Sequence, residues 1–222
     1  MWKYSKSPGR QSGFTLVELA IVLVIIGLIL AAVLKGQEMI NNAKVKNVVN
    51  DLRGVATAYN AYQDRYKAIP GDDLHATSHF SGATNGNGDG IITGAFGDSG
   101  TVTETGLFLQ HTRLSGFMTG SGSDQAYNAL GGKLGIQDGA SVLVYGMTGP
   151  VVCVGNIPWK IAMAVDTVID DGNSGTGTVR AGTQSDTANA ITETSAVTTV
   201  YGSGVAATTT LEAGMSTLCM KI

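Results

Sequence analysis

Charge is scarce in this chain of 222 residues, where Asp, Glu, Lys and Arg together make up 14%, and so are prolines, of which there are four, and cysteines, of which there are two. No phosphate-cradling glycine loop, no Cys/His cluster at ligand spacing and no cysteine set beside a histidine stands out. Nucleotide chemistry and thiol catalysis therefore have no motif to rest on. No basic patch with interleaved aromatics occurs either, which disfavours direct nucleic-acid binding. Two absences are local. Residues 1–13 contain no acid, only Lys3, Lys6 and Arg10, and residues 14–34 contain no proline.

What fills residues 14–34 is apolar or small throughout, apart from Thr15 and Glu18. As a helix rising about 1.5 Å per residue the run is roughly 30 Å long, the thickness of one bilayer core. The basic start keeps the N-terminus in the cytoplasm by the positive-inside rule and sends the chain from about Lys35 outward. A secretory signal places its small-residue cleavage site after the apolar run. Here the small residue, Gly13, precedes it. Glu18 is the unusual residue, because a carboxylate in an apolar helix costs roughly 2.5–3.5 kcal/mol on insertion scales. Two readings of it are open: an acid near the helix start, held by the interface and the positive end of the helix dipole, or a functional group.

The stretch Gly13-Phe14-Thr15-Leu16-Val17-Glu18 closely resembles the processing site of type IV prepilins and type II secretion pseudopilins, a likeness that covers roughly residues 9–66. The resemblance implies cleavage by a prepilin peptidase between Gly13 and Phe14, N-methylation of Phe14, and an attraction between Glu18 and the Phe14 amine of a neighbouring subunit. It implies as partners the chain itself, related pilins, the peptidase and an inner-membrane assembly platform driven by an external ATPase. In one place the chain departs from the family pattern. Many filament-forming pilins carry a helix-breaking proline near the end of the apolar run, where this chain reads Leu34-Lys35-Gly36-Gln37. Gly27 and Gly36 each cost about 1 kcal/mol of helix stability relative to Ala, and serve either close packing in a membrane or local stretching in a filament.

Beyond the run, Val45, Val48, Val49, Leu52, Val55, Ala56, Tyr59, Tyr62 and Tyr66 recur at steps of three and four, which predicts one helix from about Phe14 to Tyr66 stopped by Pro70-Gly71. The remainder is different in kind. Residues 70–222 hold five bases and thirteen acids, against six and four in 14–69, and most of the 31 glycines. The expected fold class is α+β and pilin-like, a long N-terminal helix packed on a small antiparallel β-sheet head. The expected divisions are a leader (1–13), a transmembrane or filament-core half helix (14–35), an amphipathic stalk half (36–69) and the head (70–222).

Within the head, Asn85, Asn87 and Asp89 followed by Gly90 imitate the first half of a calcium loop, though Phe96 stands where such a loop places its bidentate Glu. Asp72, Asp73 or Asp98 would have to complete the site, and a plain Asn/Gly turn is the alternative. His75 and His79 have zinc-like spacing with His111 as the third imidazole present, and capping or surface roles compete. A short helix is expected over 105–117. A hairpin is expected to pair 141–145 with 150–154 around the turn 146–149. A helix from Pro158 to about Gly172, with Ile161, Val165, Val168 and Ile169 on one stripe, ends in Asp166, Asp170 and Asp171, a cation site or a solvated turn. The Thr- and Ser-rich stretch 181–217 suits exposed strands near 196–201 and 206–211. Cys153 and Cys219, both outside the cytoplasm, are expected to form a disulfide.

No enzyme is read from these residues. They point to a structural subunit of a pilus-like filament, held in the inner membrane with its N-terminus cytoplasmic and placed in a periplasmic or extracellular filament after assembly. A type II secretion pseudopilin and a minor tip subunit for adhesion or ligand binding are the alternatives.

Overall fold

The computed structural model describes residues 13, 15–140, 144–182 and 215–222. Phe14, the residues before Gly13 and the expected strands near 196–201 and 206–211 lie outside the described residues. The chain divides into two compact units, with the boundary after Asn41.

One helix, α1, runs unbroken from Leu16 to Tyr66 through both Gly27 and Gly36. In the first unit every side chain from Leu16 to Leu34 is exposed, and this is the helix that is long and apolar enough to cross a membrane among the described residues. In the second unit α1 buries Val45, Val48, Val49, Leu52, Val55, Ala58, Tyr59 and Tyr62. The stripe read from spacing is therefore present, with Ala58 in it and Ala56 and Tyr66 only half-buried. The helix ends at Tyr66 as expected, just ahead of Pro70-Gly71. Lys67 takes a left-handed conformation (φ 56°) and donates its N–H to the Gln63 carbonyl at 2.9 Å, a C-terminal cap that closes the last turn.

Against the buried stripe stands a five-stranded antiparallel sheet in the order β1-β2-β3-β5-β4. The strands are β1 (Ala126–Tyr127), β2 (Lys133–Asp138), β3 (Pro150–Pro158), β4 (Val179–Gly182) and β5 (Met215–Lys221). Three helices complete the head: α2 (Ala76–His79), α3 (Glu104–Leu114) and α4 (Trp159–Ile169). The apolar run in β3 follows from burial on both faces. Val152 and Val154 enter the main core with Leu52, Phe108, Trp159 and Leu218, while Val151 and Cys153 face a second cluster of Phe96, Tyr145 and Met147.

The hairpin expected between 141–145 and 150–154 is not the one formed. β3 pairs with β2 on one side, Gly135 opposite Cys153, and with β5 on the other. Residues 141–143 lie outside the described residues, and Val144 bridges only Met147, around a tight turn with Tyr145 and Gly146 both at positive φ. The alternation of Leu134 and Ile136 marks β2, but Gly135 weakens its strand signal. A side chain at Gly135 would meet the Phe96 carbonyl oxygen at 2.0 Å, so the crossing of another backbone requires this glycine. In α4 the buried face is Trp159, Ile161, Ala162, Val165 and Asp166. Val168, expected on the stripe, is 59% exposed.

Cys153 and Cys219 are register partners in the two central strands and form a disulfide, with Cα atoms 4.1 Å apart. It closes a loop of 66 residues, a constraint worth about 4 kcal/mol in the chain-entropy model. The Cys153→Ala, Cys219→Ala double variant of the full chain is expected to lose about 2–4 kcal/mol in urea unfolding. An unchanged midpoint and slope would show that pairing of β3 with β5 needs no covalent link.

Candidate functional site

Two groups of residues carry the chemistry of this chain, one at the start of α1 and one in the head. At the start of α1, Thr15 and Glu18 exchange hydrogen bonds. The Thr15 N–H and hydroxyl donate to Glu18 Oε2 at 2.8 and 2.9 Å, and the Glu18 N–H donates to Thr15 Oγ1 at 3.2 Å. This is a capping box, in which the cap residue and the third helical residue satisfy each other's orphan donors. Its signature, Thr-x-x-Glu, stands in the sequence at Thr15 and Glu18. Both bonds use Oε2. In the isolated subunit the carboxylate thus has a local partner through that one oxygen. Gly13 lies ahead of the helix and exposed, and Phe14 is outside the described residues.

In the head the organising element is Pro70-Gly71-Asp72-Asp73. Gly71 is at φ 96°, and a side chain there would meet the Glu104 carbonyl oxygen at 2.4 Å, so α3 and this turn approach as closely as a bare glycine permits. Asp72, buried, accepts three N–H groups, from Gly88 at 2.6 Å and Asp89 at 3.1 Å on Oδ1 and from Gly90 at 2.8 Å on Oδ2. Glu104 accepts from Asn87 N–H at 3.1 Å, Thr93 N–H at 2.9 Å and the Thr93 hydroxyl at 2.8 Å. Two carboxylates from outside the loop therefore hold its backbone from Asn87 to Thr93. Burial pushes the Asp72 carboxyl above the ordinary range against the pull of its N–H donors, and the Glu104 charge adds to the rise.

Two of the oxygens expected for calcium are engaged as hydrogen-bond acceptors. Asn85 Oδ1 accepts the Thr77 N–H at 2.8 Å, and Asn87 Oδ1 accepts the Asp89 N–H at 2.8 Å. Asp89 does approach the buried pair, since one oxygen each of Asp72, Asp89 and Glu104 lies within 4.8 Å of the others. These are the donors a hard cation would use, and backbone N–H groups already occupy much of their capacity. Asp98 stands apart as acceptor for Ala95 N–H at 2.9 Å.

The imidazoles have separate structural roles. His111 is fully buried. Its Nδ1 accepts the Gly71 N–H at 2.9 Å, which leaves the proton on Nε2, 2.7 Å from the Thr84 carbonyl. Burial pushes its pKa down, in keeping with a neutral ring. His79 Nε2 lies 3.7 Å from Asp73 Oδ2, while Asp73 accepts the Tyr62 hydroxyl at 2.7 Å and the His75 N–H at 2.8 Å. The network joins the end of α1 to the head. In the last acidic group, Asp170 Oδ2 accepts the N–H groups of Thr178 and Val179 at 2.5 and 3.1 Å. Asp171 accepts the Asn173 N–H at 2.8 Å and the Thr176 hydroxyl at 2.5 Å. These bonds tie the turn after α4 to β4.

Asp72→Ala, which strands three partly buried N–H donors, is expected to destabilise the head by about 2–4 kcal/mol in urea unfolding; a loss below about 0.5 kcal/mol would show that the loop holds itself. Because the unfolded chain protonates His111 more readily than the folded one, its contribution to stability is present above the ordinary value of 6.5 and is lost as pH falls through that value toward the depressed folded pKa. Unfolding midpoints are expected to fall between pH 7.5 and 5.5, less so in His111→Gln.

No curated protein and no solved structure matches the chain. One family model does, described as the prokaryotic N-terminal methylation motif, over residues 8–34. These residues contain Gly13, the start of α1 with its Thr15–Glu18 cap, and the whole exposed apolar run. The chain carries the prepilin-type signal of type IV pilins and pseudopilins, joined to an α+β pilin-like arrangement of one long N-terminal helix and a small antiparallel sheet.

Proposed function

We propose that the chain is a structural subunit of a type IV pilus-like filament, cut between Gly13 and Phe14 by a prepilin peptidase, N-methylated on Phe14 and assembled through α1. The observation that carries this reading is the exposed apolar surface from Leu16 to Leu34, which lies within the methylation motif. Such a surface has two stable settings, a bilayer or a bundle of copies of itself. Lipid tails are as apolar as leucine, so passage from one to the other is driven by side-chain packing and by polar contacts rather than by the hydrophobic effect.

Glu18 supplies the polar contact. In a dry bundle its carboxylate needs a partner, and the positive amine that cleavage creates at Phe14 of a neighbouring subunit is suited to that need. At 4 Å and an effective dielectric constant of about 20 the attraction amounts to about 4 kcal/mol. Oε2 stays with the helix cap while Oε1 faces the newcomer, so pairing need not unwind the first turn. Before assembly the head and the stalk half of α1 lie outside the inner membrane and the leader lies in the cytoplasm. Afterwards residues 14–35 form the filament core and residues 70–222 its surface. A type II secretion pseudopilin is the second reading, favoured by the same motif, which both kinds of subunit share.

Mass spectrometry and electron microscopy of sheared surface material test this directly. Abundant filaments of a chain beginning at N-methylated Phe14 are expected; the processed chain retained in the envelope would favour the pseudopilin, and an unprocessed chain would overturn the reading. Glu18→Ala is expected to insert into the membrane normally and to lower filament number by about tenfold or more, the effect of losing roughly 1.4 kcal/mol. Filaments of normal number and length in that variant would remove the assembly role from Glu18.

A further inference from the structure

A cavity of about 430 Å³ opens in the head between α1, the loop that follows α3, and β1. The volume suits a small ligand. Buried Val55 and Leu134 contribute apolar wall. Around them stand Asn50 and Asp51 of α1, Gln125 ahead of β1, and Tyr127, which is 63% exposed.

Gln125 gives the clearest sign of a missing partner. Its Nε2 donates to the carbonyls of Ala126 at 2.8 Å and Leu134 at 3.1 Å, which fixes the orientation of the amide. Its Oε1 is then buried with no hydrogen-bond donor, a state that costs roughly 1–3 kcal/mol. Asp51 accepts the Ala129 N–H through Oδ2 at 2.8 Å, so Oδ1 remains for another donor.

The chemistry of the wall narrows the ligand. Arg113 is the cationic side chain lining the cavity among the described residues, but its Nε and Nη1 donate to the carbonyls of Thr119, Ser121, Gly122 and Asp124. These bonds turn Nε and Nη1 to shaping the loop, and the Asp51 carboxylate on the same wall further disfavours an anion. One carboxylate already bonded to a backbone N–H is too little for a hard cation, which takes six to eight oxygens. A purely apolar ligand would leave the amides of Asn50 and Gln125 without partners. What remains is a neutral ligand with several neighbouring hydroxyls and one apolar face. An amide both accepts from and donates to adjacent hydroxyls, a carboxylate accepts from them, and the exposed ring of Tyr127 offers a flat apolar surface with a polar tip. We propose that this cavity is a saccharide-binding site, of a size for one or two sugar units.

The proposal is independent of how the subunit assembles, and its test is made on the subunit itself. The full chain in dodecylphosphocholine, a detergent with no sugar headgroup, is titrated calorimetrically with maltose, lactose and chitobiose. At least one of the three is expected to saturate with a Kd of about 0.1–1 mM. Tyr127→Ala and Asn50→Ala, both at exposed positions, are expected to weaken that binding about tenfold or more while leaving the melting temperature unchanged. No saturable heat from any of the three sugars, or equal binding in the wild-type chain and both variants, overturns the proposal.

Discussion

The head depends on one contact, the burial of a single stripe of α1 by one face of the sheet. Val48 and Leu52 are wholly enclosed, and with them Val152, Val154 and Leu218 from the two central strands. Removing a side chain such as Leu52 from this layer would cost about 2–5 kcal/mol. The strand register is bound to the same contact, because a slip of one residue would turn Val152 and Val154 away from the helix. The loop network is bound to it as well. Tyr62 reaches Asp73 from the last turn of α1, next to Asp72 and the loop that Asp72 holds.

Over its first half the same helix does the opposite. Its side chains there are covered by nothing in the subunit, and its one acid is occupied with the helix's own cap. The polar architecture of the head also differs from what a charge count suggests. Residues 70–222 carry thirteen acids, yet Asp72, Asp89, Asp98, Glu104, Asp138, Asp170 and Asp171 each accept a backbone N–H. The acidity is thus largely that of a turn-rich fold whose loops are pinned by carboxylates. Burial and hydrogen bonding, rather than ion pairing, decide where those charges sit.

The parts legible in the sequence are those in which one local rule dominates. The extent of α1 followed from an unbroken stripe, α3 and α4 from their helical spacing, and the disulfide from there being two cysteines, both beyond the apolar run. Sheet pairing was not legible. β3 is apolar on both faces and so carries no alternation to name its partners, while β2 is interrupted by the glycine that lets the Phe96 backbone cross. Val168 was misplaced for a related reason, since spacing defines a stripe but not how much of it is covered. In the head site, Asp89 and Asp72 stood out as residue types. Glu104 did not, because it enters from a helix 15 residues beyond Asp89 and only the folded loop brings them together.

The disulfide has a consequence beyond stability. Pairing of β3 with β5 and the bond between Cys153 and Cys219 place both ends of the intervening 66-residue segment at one point in the centre of the sheet. The entropy of closing a flexible loop rises only with the logarithm of its length, so even doubling it costs about 0.6 kcal/mol more. A change in the length of the connections in that segment, outside its helix and strand residues, therefore adds little to the cost of closing it. The covalent link thereby separates a fixed pair of central strands from the length of the chain that joins them.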